Sequence, residues 1–147
     1  MSLSQQCSRE VLELHQTLET WLGGHVVNTD ANYARIAYVH SNSFTYIVPG
    51  GEFIPHDRLF AGLRQAHGAN GNNFKIWIEN IRTLIETDNL CVLAYEEWQR
   101  LPDKTTGRQS TALFRKRSGT PNGVEWVHIH ETWLSEIKVA AFVANYS

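Results

Sequence analysis

The stretch EWVHIHETWL, from Glu125 to Leu134, places two histidines and two glutamates among tryptophans and β-branched residues. This composition is typical of a β-strand, in which successive side chains face opposite sides of the sheet. His128 and His130 are two positions apart, so they are predicted to point to the same side. Such a pair suits a metal site, a proton-transfer site or a hydrogen-bonded place in the core. The residues alone leave these three alternatives open.

Three further β-rich segments precede this strand and are predicted to form an antiparallel meander with it. Asp88-Asn89 is a candidate two-residue hairpin turn, and residues 102–107 and 118–123 have the composition of the next two connections. The four predicted segments are residues 74–86, 89–100, 108–117 and 124–134.

Helical patterns dominate the region before the meander. Apolar residues recur at helical spacing from Val11 to Leu22, and Gly23-Gly24 ends this first helix. Asp30 is a candidate N-cap of a shorter second helix. A strand at residues 43–48 follows, and Pro55 opens a third helix. Helices followed by a meander predict an α+β domain, with the helices packed on one face of a curved antiparallel sheet.

Composition excludes several classes of partner. The chain has 147 residues, with 13 basic and 15 acidic side chains and a net charge of −2, so it lacks the basic surface of a nucleic-acid-binding protein. No apolar run approaches membrane-spanning length, and Cys7 and Cys91 form neither a disulfide framework nor a metal-type spacing. We expect a single domain over residues 1–147 that is cytoplasmic and binds neither nucleic acid nor membrane.

The predicted turn sets the pairing of the first hairpin. A two-residue loop at Asp88-Asn89 pairs residues whose numbers sum to 177, so that Arg82 faces Tyr95 and Asn80 faces Glu97 on the same side. A loop of three or five residues would invert this assignment. The two-residue turn therefore predicts a polar cluster on one side of the hairpin.

The other side of the hairpin is apolar, and a single set of helices cannot cover both faces of a sheet. Its residues are Trp77, Ile81, Ile85, Val92, Ala94 and Trp98. We therefore expect a homodimer through this outer sheet face, with Trp98 and Trp133 in the interface.

Element order and several short stretches resemble the nuclear transport factor 2-like superfamily, which has a cystatin-like cone fold. The stretches are PGG at 49–51, LCVLAYEEWQ at 90–99, RQSTALFRKR at 108–117 and WVHIHETWL at 126–134. The branches that they resemble are the SnoaL-like domains of unknown function and the association domain of calcium/calmodulin-dependent kinase. His128, His130 and Thr132 are similar to the association domain's His-x-His followed by a small hydroxyl residue. The resemblance covers residues 10–134 and implies a strongly bent, mixed or antiparallel sheet wrapped around the helices, with a pocket between them.

The resemblance also implies which side chains line the pocket. Aligning CVLAYEEW with the association domain turns Tyr95 and Glu97 inward, and the next hairpin adds Phe114, Trp126 and His128. The predicted register of the first hairpin places Arg82 in the pocket as its only cation. The predicted ligand-binding residues are Asn80, Arg82, Tyr95, Phe114 and Trp126, and the candidate catalytic residues are Glu97, His128 and His130. Neither a cofactor nor a metal ion is expected.

Two functions remain open from the sequence. The superfamily includes ketosteroid isomerase, scytalone dehydratase, polyketide cyclases and pocket proteins with no assigned reaction. The resemblance therefore implies a pocket for a small apolar or aromatic molecule, used by a cofactor-independent isomerase, dehydratase or cyclase with Glu97 or His130 as the base. The alternative is a non-catalytic ligand-binding or dimerisation and assembly module. The sequence leaves open whether the protein is an enzyme.

Overall fold

Four helices and six strands make up the computed structural model, which describes residues 1–146. The helices are α1 (Leu3–Leu22), α2 (Asp30–Ala37), α3 (His56–Gln65) and α4 (Glu136–Tyr146). The strands are β1 (His40–Ile47), β2 (Phe53–Pro55), β3 (Lys75–Glu86), β4 (Leu90–Leu101), β5 (Lys104–Lys116) and β6 (Val124–Trp133). In this part of the chain no helix is both long and apolar enough to cross a lipid bilayer.

The strands form one curled, mixed sheet in the order β2-β1-β6-β5-β4-β3. β1 runs parallel to β6, and every other neighbouring pair is antiparallel. Helix α1 packs across β3, β4 and β6, and apolar residues of α1, α2, α3 and the sheet share one hydrophobic core. The predicted α+β class, with helices against a strongly curved mixed sheet, is confirmed.

The first helix begins eight residues earlier than the apolar pattern predicts, because a capping box fixes its start. The Ser2 hydroxyl accepts from the Gln5 N–H at 3.1 Å, and the Gln5 side chain accepts from the Ser2 N–H at 2.8 Å. Cys7 and Leu3 then extend the buried stripe toward the N-terminus.

A buried carboxylate holds α1 against its neighbours. Glu10 is fully buried and accepts hydrogen bonds from Trp126 Nε1 at 2.9 Å, Asn122 Nδ2 at 2.9 Å and Arg35 Nη2 at 3.1 Å. These donors belong to β6, the loop before it and α2. Burying a carboxylate is costly unless donors surround it, so Glu10 depends on this network for its place.

Two β-bulges change the predicted register of β3 and β4. Next to the turn, Ile85 pairs with Val92 as a two-residue loop requires. One bulge follows between Thr83 and Ile85, and a second between Glu79 and Arg82 contains Asn80 at a φ of 56°. Each bulge inserts an unpaired residue and inverts the alternation of side chains.

The predicted pairs Arg82–Tyr95 and Asn80–Glu97 are therefore wrong. Asn80 and Arg82 are both exposed. Glu97 pairs with Ile78 and not with Asn80. Ile78 and Ile81 pack against the core. Ile81, predicted on the outer face, is thus on the inner side.

A third bulge decides the direction of the histidines. Leu113 pairs with His128 but Phe114 pairs with Trp126, so Val127 is the extra residue in β6. Trp126 is buried inside the cone, and after the bulge it is Ile129 that packs against the core. His128 and His130 consequently face the outer side of the sheet, contrary to the prediction.

Helix α4 covers part of the outer sheet face. The Phe142 ring stacks on Trp98 with a centroid distance of 4.0 Å, and Lys138 Nζ lies 2.8 Å from Glu96 Oε2. Trp98 is 1% exposed, so the chain's own helix, rather than a second copy, covers it. Trp133, also predicted on the outer face, instead lies beside the guanidinium of Arg108, 4.8 Å from its ring centroid.

Candidate functional site

A cavity of about 160 Å³ lies between the helices and the concave side of the sheet. Its walls are mainly aliphatic and include Leu18 of α1, Leu63 of α3 and Ile129 of β6. Polar side chains from α1, β1, β4, β5 and β6 also line it. Tyr46, Glu97 and Glu131 lie there because each is two positions from an inward apolar residue of its own strand, and His15 lies one turn from Val11 on α1.

The His15 ring is charged and is held at both nitrogens. Nδ1 donates to the carbonyl oxygen of Val11 at 2.6 Å, and Nε2 donates to Glu97 Oε1 at 2.9 Å. Since a carbonyl and a carboxylate only accept, both nitrogens carry hydrogen. Burial lowers the pKa of His15, but the Glu97 charge and the two hydrogen bonds outweigh it and raise the pKa above 6.5.

Glu97 is the ionised partner in this pair. Its other oxygen accepts from Gln99 Nε2 at 2.7 Å, and Arg108 Nε lies 3.9 Å away. Burial alone would raise the pKa of Glu97, but His15, Arg108 and Gln99 lower it to about 2. Glu97 is therefore a fixed negative charge at neutral pH.

Glu131 is the second carboxyl group of the site, and its titration is different. Ser110 Oγ donates to Oε2 at 2.5 Å, while Tyr46 Oη and Arg108 Nη1 donate to Oε1, the latter at 3.3 Å. Burial and the negative charge of Glu97 raise the pKa of Glu131 to about 7, because they outweigh Arg108 and the two hydroxyl donors. The pKa of Glu131 thus lies much closer to neutral pH than the pKa of Glu97.

Arg108 lies between the two carboxyl groups. Burial lowers the pKa of Arg108, but Glu97 and Glu131 outweigh it and keep the guanidinium charged. Within the described residues its Nε is buried and makes no hydrogen bond, and the Trp133 ring covers the group from one side. The charges at this end of the cavity are thus largely paired with one another.

His40 stands apart from that cluster, among aromatic rings. Its Nδ1 donates to the Ile36 carbonyl oxygen at 2.7 Å, and its ring stacks on Trp126 with a centroid distance of 5.7 Å. Burial lowers the pKa of His40 to about 3, so the ring is neutral. Sequence reasoning gave His40 no functional role.

Of the candidate catalytic residues, only Glu97 reaches the cavity. His128 lies on the outer face, where its Nδ1 is 2.7 Å from Thr45 Oγ1, and His130 is exposed on the same face. The outer position of both histidines is a consequence of the bulge at Val127.

The predicted ligand-binding residues divide into two groups. Tyr95, Phe114 and Trp126 are fully buried on the inner side, as predicted, but they belong to the core and do not line the cavity. Asn80 and Arg82 lie outside it. Arg108 replaces Arg82 as the cation of the site.

Sequence reasoning missed six polar residues that line the cavity: His15, His40, Tyr46, Gln99, Arg108 and Glu131. A signal existed for His15, which adjoins the apolar stripe of α1 at Leu14. Arg108 lies opposite Glu97 in the second hairpin, so a correct register there would have found it. The inward direction of the Glu131 side chain could be predicted only with knowledge of the bulge at Val127.

Solved structures of the nuclear transport factor 2-like class have this fold. A nuclear transport factor 2-like protein of unknown function from Pseudomonas aeruginosa superposes with a TM-score of 0.80 at 21% identity, over 88% of this chain and 99% of that one. The calcium/calmodulin-dependent kinase II hub homology domain of Chlamydomonas reinhardtii superposes with a TM-score of 0.70 at 15% identity, over 91% of this chain and 100% of that one. At these identities the likeness shows the fold alone, and this fold is the one that the resemblance to the nuclear transport factor 2-like proteins implied.

Within that class the family is defined by sequence. Residues 7–135 match the family described as sucrose-6-phosphate phosphohydrolase C-terminal, and the chain belongs to it. Sucrose-phosphatase 1 of Nicotiana tabacum is 24% identical over 127 residues, and probable sucrose-phosphatase 2 of Arabidopsis thaliana is 26% identical over 132. These matches cover 85% and 88% of this chain but only 30% and 31% of the relatives. The chain thus spans less than a third of their length, and α4 follows the matched region.

Proposed function

We propose that this domain is a non-catalytic module that binds a compact, mainly apolar small molecule in the cavity between α1, α3 and the sheet. The observation that carries the proposal is an apolar cavity whose charged groups are already paired with one another. Its volume of about 160 Å³ is similar to that of protein cavities of about 150 Å³ that take up benzene. A molecule with the size of one six-membered ring fits this description.

The state of Glu97 favours binding over catalysis. A general base works best when its pKa is near the working pH, whereas the pKa of Glu97 is about 2 and both of its oxygens are engaged. His128 and His130 are separated from the cavity by the sheet. The residues first considered as the base therefore lend little support to an enzymatic function.

Glu131 favours a second candidate, cofactor-independent proton transfer of the isomerase, dehydratase or cyclase kind. Its carboxyl group lines the cavity, has a pKa of about 7 and is hydrogen-bonded to the Tyr46 hydroxyl. This candidate predicts faster hydrogen–deuterium exchange at the methyl group of acetophenone with the wild type than with Glu131→Gln. Exchange at the rate of the buffer alone would exclude it for this probe.

The names of the relatives suggest a sugar phosphate, but the cavity favours a different ligand for this chain. A disaccharide carries many hydroxyl groups, and burying them against aliphatic walls without partners is costly. We assign this domain an accessory binding role and not the phosphatase activity that the relatives' names state. Saturable binding of sucrose 6-phosphate with chemical-shift changes at Leu18 and Ile129 would overturn that assignment.

Assembly of copies through the outer sheet face also remains a proposal. It is supported by the neighbours named as kinase hubs and association domains, and by the exposed side of β5 and β6 that α4 leaves uncovered. Sedimentation should give a dimer that His130→Glu weakens, and a monomer at all concentrations would refute it.

Cys7 and Cys91 are both unpaired and buried, which fits the cytoplasm as the proposed compartment.

Ligand binding is tested with toluene, followed by two-dimensional NMR of the labelled protein. Ile129→Phe fills the cavity, and Ile85→Phe makes the same change at an exposed position of β3. We expect saturable shifts in the wild type and in Ile85→Phe, and an affinity lower by about tenfold or more in Ile129→Phe, since overpacking removes the space. Equal binding of toluene by all three proteins, or failure of the wild type to bind toluene or any other ring-sized molecule, would contradict the proposal.

A further inference from the structure

His40 lines the cavity and packs among aromatic rings, of which Phe44 also lines the cavity while Phe60 and Trp126 lie behind the lining in the core. His40 begins β1 and is 6% exposed. Its ring lies 4.7 Å from Phe44 and 4.8 Å from Phe60 between centroids, in addition to the stack on Trp126. These contacts fix the orientation of the ring.

The hydrogen bond at Nδ1 determines what the other nitrogen can do. Because the Ile36 carbonyl oxygen only accepts, Nδ1 carries the hydrogen and Nε2 keeps a lone pair. The charged or titratable groups that act on the ring are Arg35, His15 and His56, and each disfavours a second proton. Nε2 is therefore an acceptor and not a donor.

This acceptor has no partner within residues 1–146. No side-chain or backbone donor of that region binds Nε2, although nearly all buried polar atoms in proteins are satisfied. Unlike Arg108 Nε, it is not sealed off by protein atoms, and His40 lines the cavity. A donor on a bound molecule would complete its hydrogen bonding.

We infer that the cavity selects a neutral, ring-sized molecule with one hydroxyl or N–H group, whose hydrogen is donated to His40 Nε2. The inference rests on the proposed binding function and adds the chemical class of the ligand. A carboxylate would bring its lone pairs against the lone pair of Nε2, and a pure hydrocarbon would leave Nε2 unpaired. An alcohol, a phenol or a cyclic amide meets both requirements.

Phenol and anisole test this class, because they share a ring and an oxygen but only phenol donates. Dissociation constants for both are measured by calorimetry or NMR with the wild type and with His40→Phe. We expect the preference for phenol over anisole to fall about 5-fold in His40→Phe, the usual net effect of one neutral hydrogen bond. Phe60→Leu removes a ring that packs on His40 and keeps the acceptor, so the preference should be unchanged.

A second measurement does not depend on the variant. In ¹⁵N spectra of wild-type imidazoles, the Nε2 resonance of His40 should move with phenol and stay in place with anisole. If both molecules bind and neither observation is made, the inference fails while the proposed function stands. It also fails if the preference survives His40→Phe but disappears in Glu131→Gln. If toluene, phenol and anisole all fail to bind, the proposed function fails and the inference with it.

Discussion

His15 Nε2 and Glu97 Oε1 lie 2.9 Å apart and join the middle of α1 to β4 at the polar end of the cavity. Both side chains are almost fully buried, so water screens the pair little. With Arg108 and Glu131 they form a cluster in which one carboxyl group stays ionised and the other titrates near neutrality.

Glu97→Gln should destabilise the protein and lower the pKa of His15, because the Glu97 charge and hydrogen bond raise that pKa in the wild type. Removing one partner of a buried pair costs about 3–5 kcal/mol in the free energy of unfolding, because the other charge stays buried. In the wild type the pKa of His15 is raised above 6.5, so the pair's contribution is complete below that pH and is lost as pH rises through the folded value. Urea unfolding and histidine NMR titration measure both effects.

The matched control for this prediction is Glu96→Gln, which changes the adjacent carboxylate on the outer side of β4. It should leave the His15 titration as in the wild type. A His15 pKa that is the same in Glu97→Gln and in the wild type would show that the pair does not set it.

Glu131→Gln should be most stabilising at alkaline pH. The folded pKa of about 7 lies above the ordinary value of 4.5, so the folded protein binds the extra proton between these values and loses stability as pH rises through them. A neutral amide avoids that loss. We expect the variant to exceed the wild type by roughly 1–2 kcal/mol near about pH 8 and by little near about pH 5. Urea unfolding across this range that shows a constant difference would refute the prediction.

Glu10→Gln should destabilise the fold by about 2–4 kcal/mol, because it weakens the acceptor shared by Arg35, Asn122 and Trp126. Glu13→Gln is the comparison, since its side chain is 45% exposed and lies 3.9 Å from Arg35. Its effect should stay below about 1 kcal/mol. Thermal and urea unfolding of both variants measure the difference, and similar losses in the two would count against a special role for Glu10.

Phe142→Ala should expose Trp98 and lower the free energy of unfolding by about 1–3 kcal/mol, because the stacked ring excludes water from the indole. Ile137→Ala changes the same helix at a side chain that is 84% exposed and should have little effect. Urea unfolding provides the energies. If both variants match the wild type, α4 does not cover the sheet in solution.

The element order and the first turn could be predicted because they depend on local composition. The loop at Asp88-Asn89 has the predicted two residues, with the Thr87 N–H donating to the Leu90 carbonyl oxygen at 2.8 Å. The fold class also followed from the sequence. The family did not, because the resemblance rested mainly on the kinase association domain.

The inward or outward direction of side chains could not be predicted beyond the bulges. A bulge adds one residue without altering composition, so Val127 gives no signal in the sequence, yet it reverses every later position of β6. Asn80 gave a weak signal, since asparagine tolerates positive φ better than most residues. The histidine pair was therefore assigned to the wrong side of a correctly placed strand.

The most direct measurement of ligand binding is a crystal structure of the protein soaked with bromobenzene, since bromine is located by its anomalous signal. The proposed function predicts a bromine peak inside the cavity, against Leu18, Leu63 and Ile129. Peaks only on the protein surface, with the cavity unchanged at saturating bromobenzene, would contradict it.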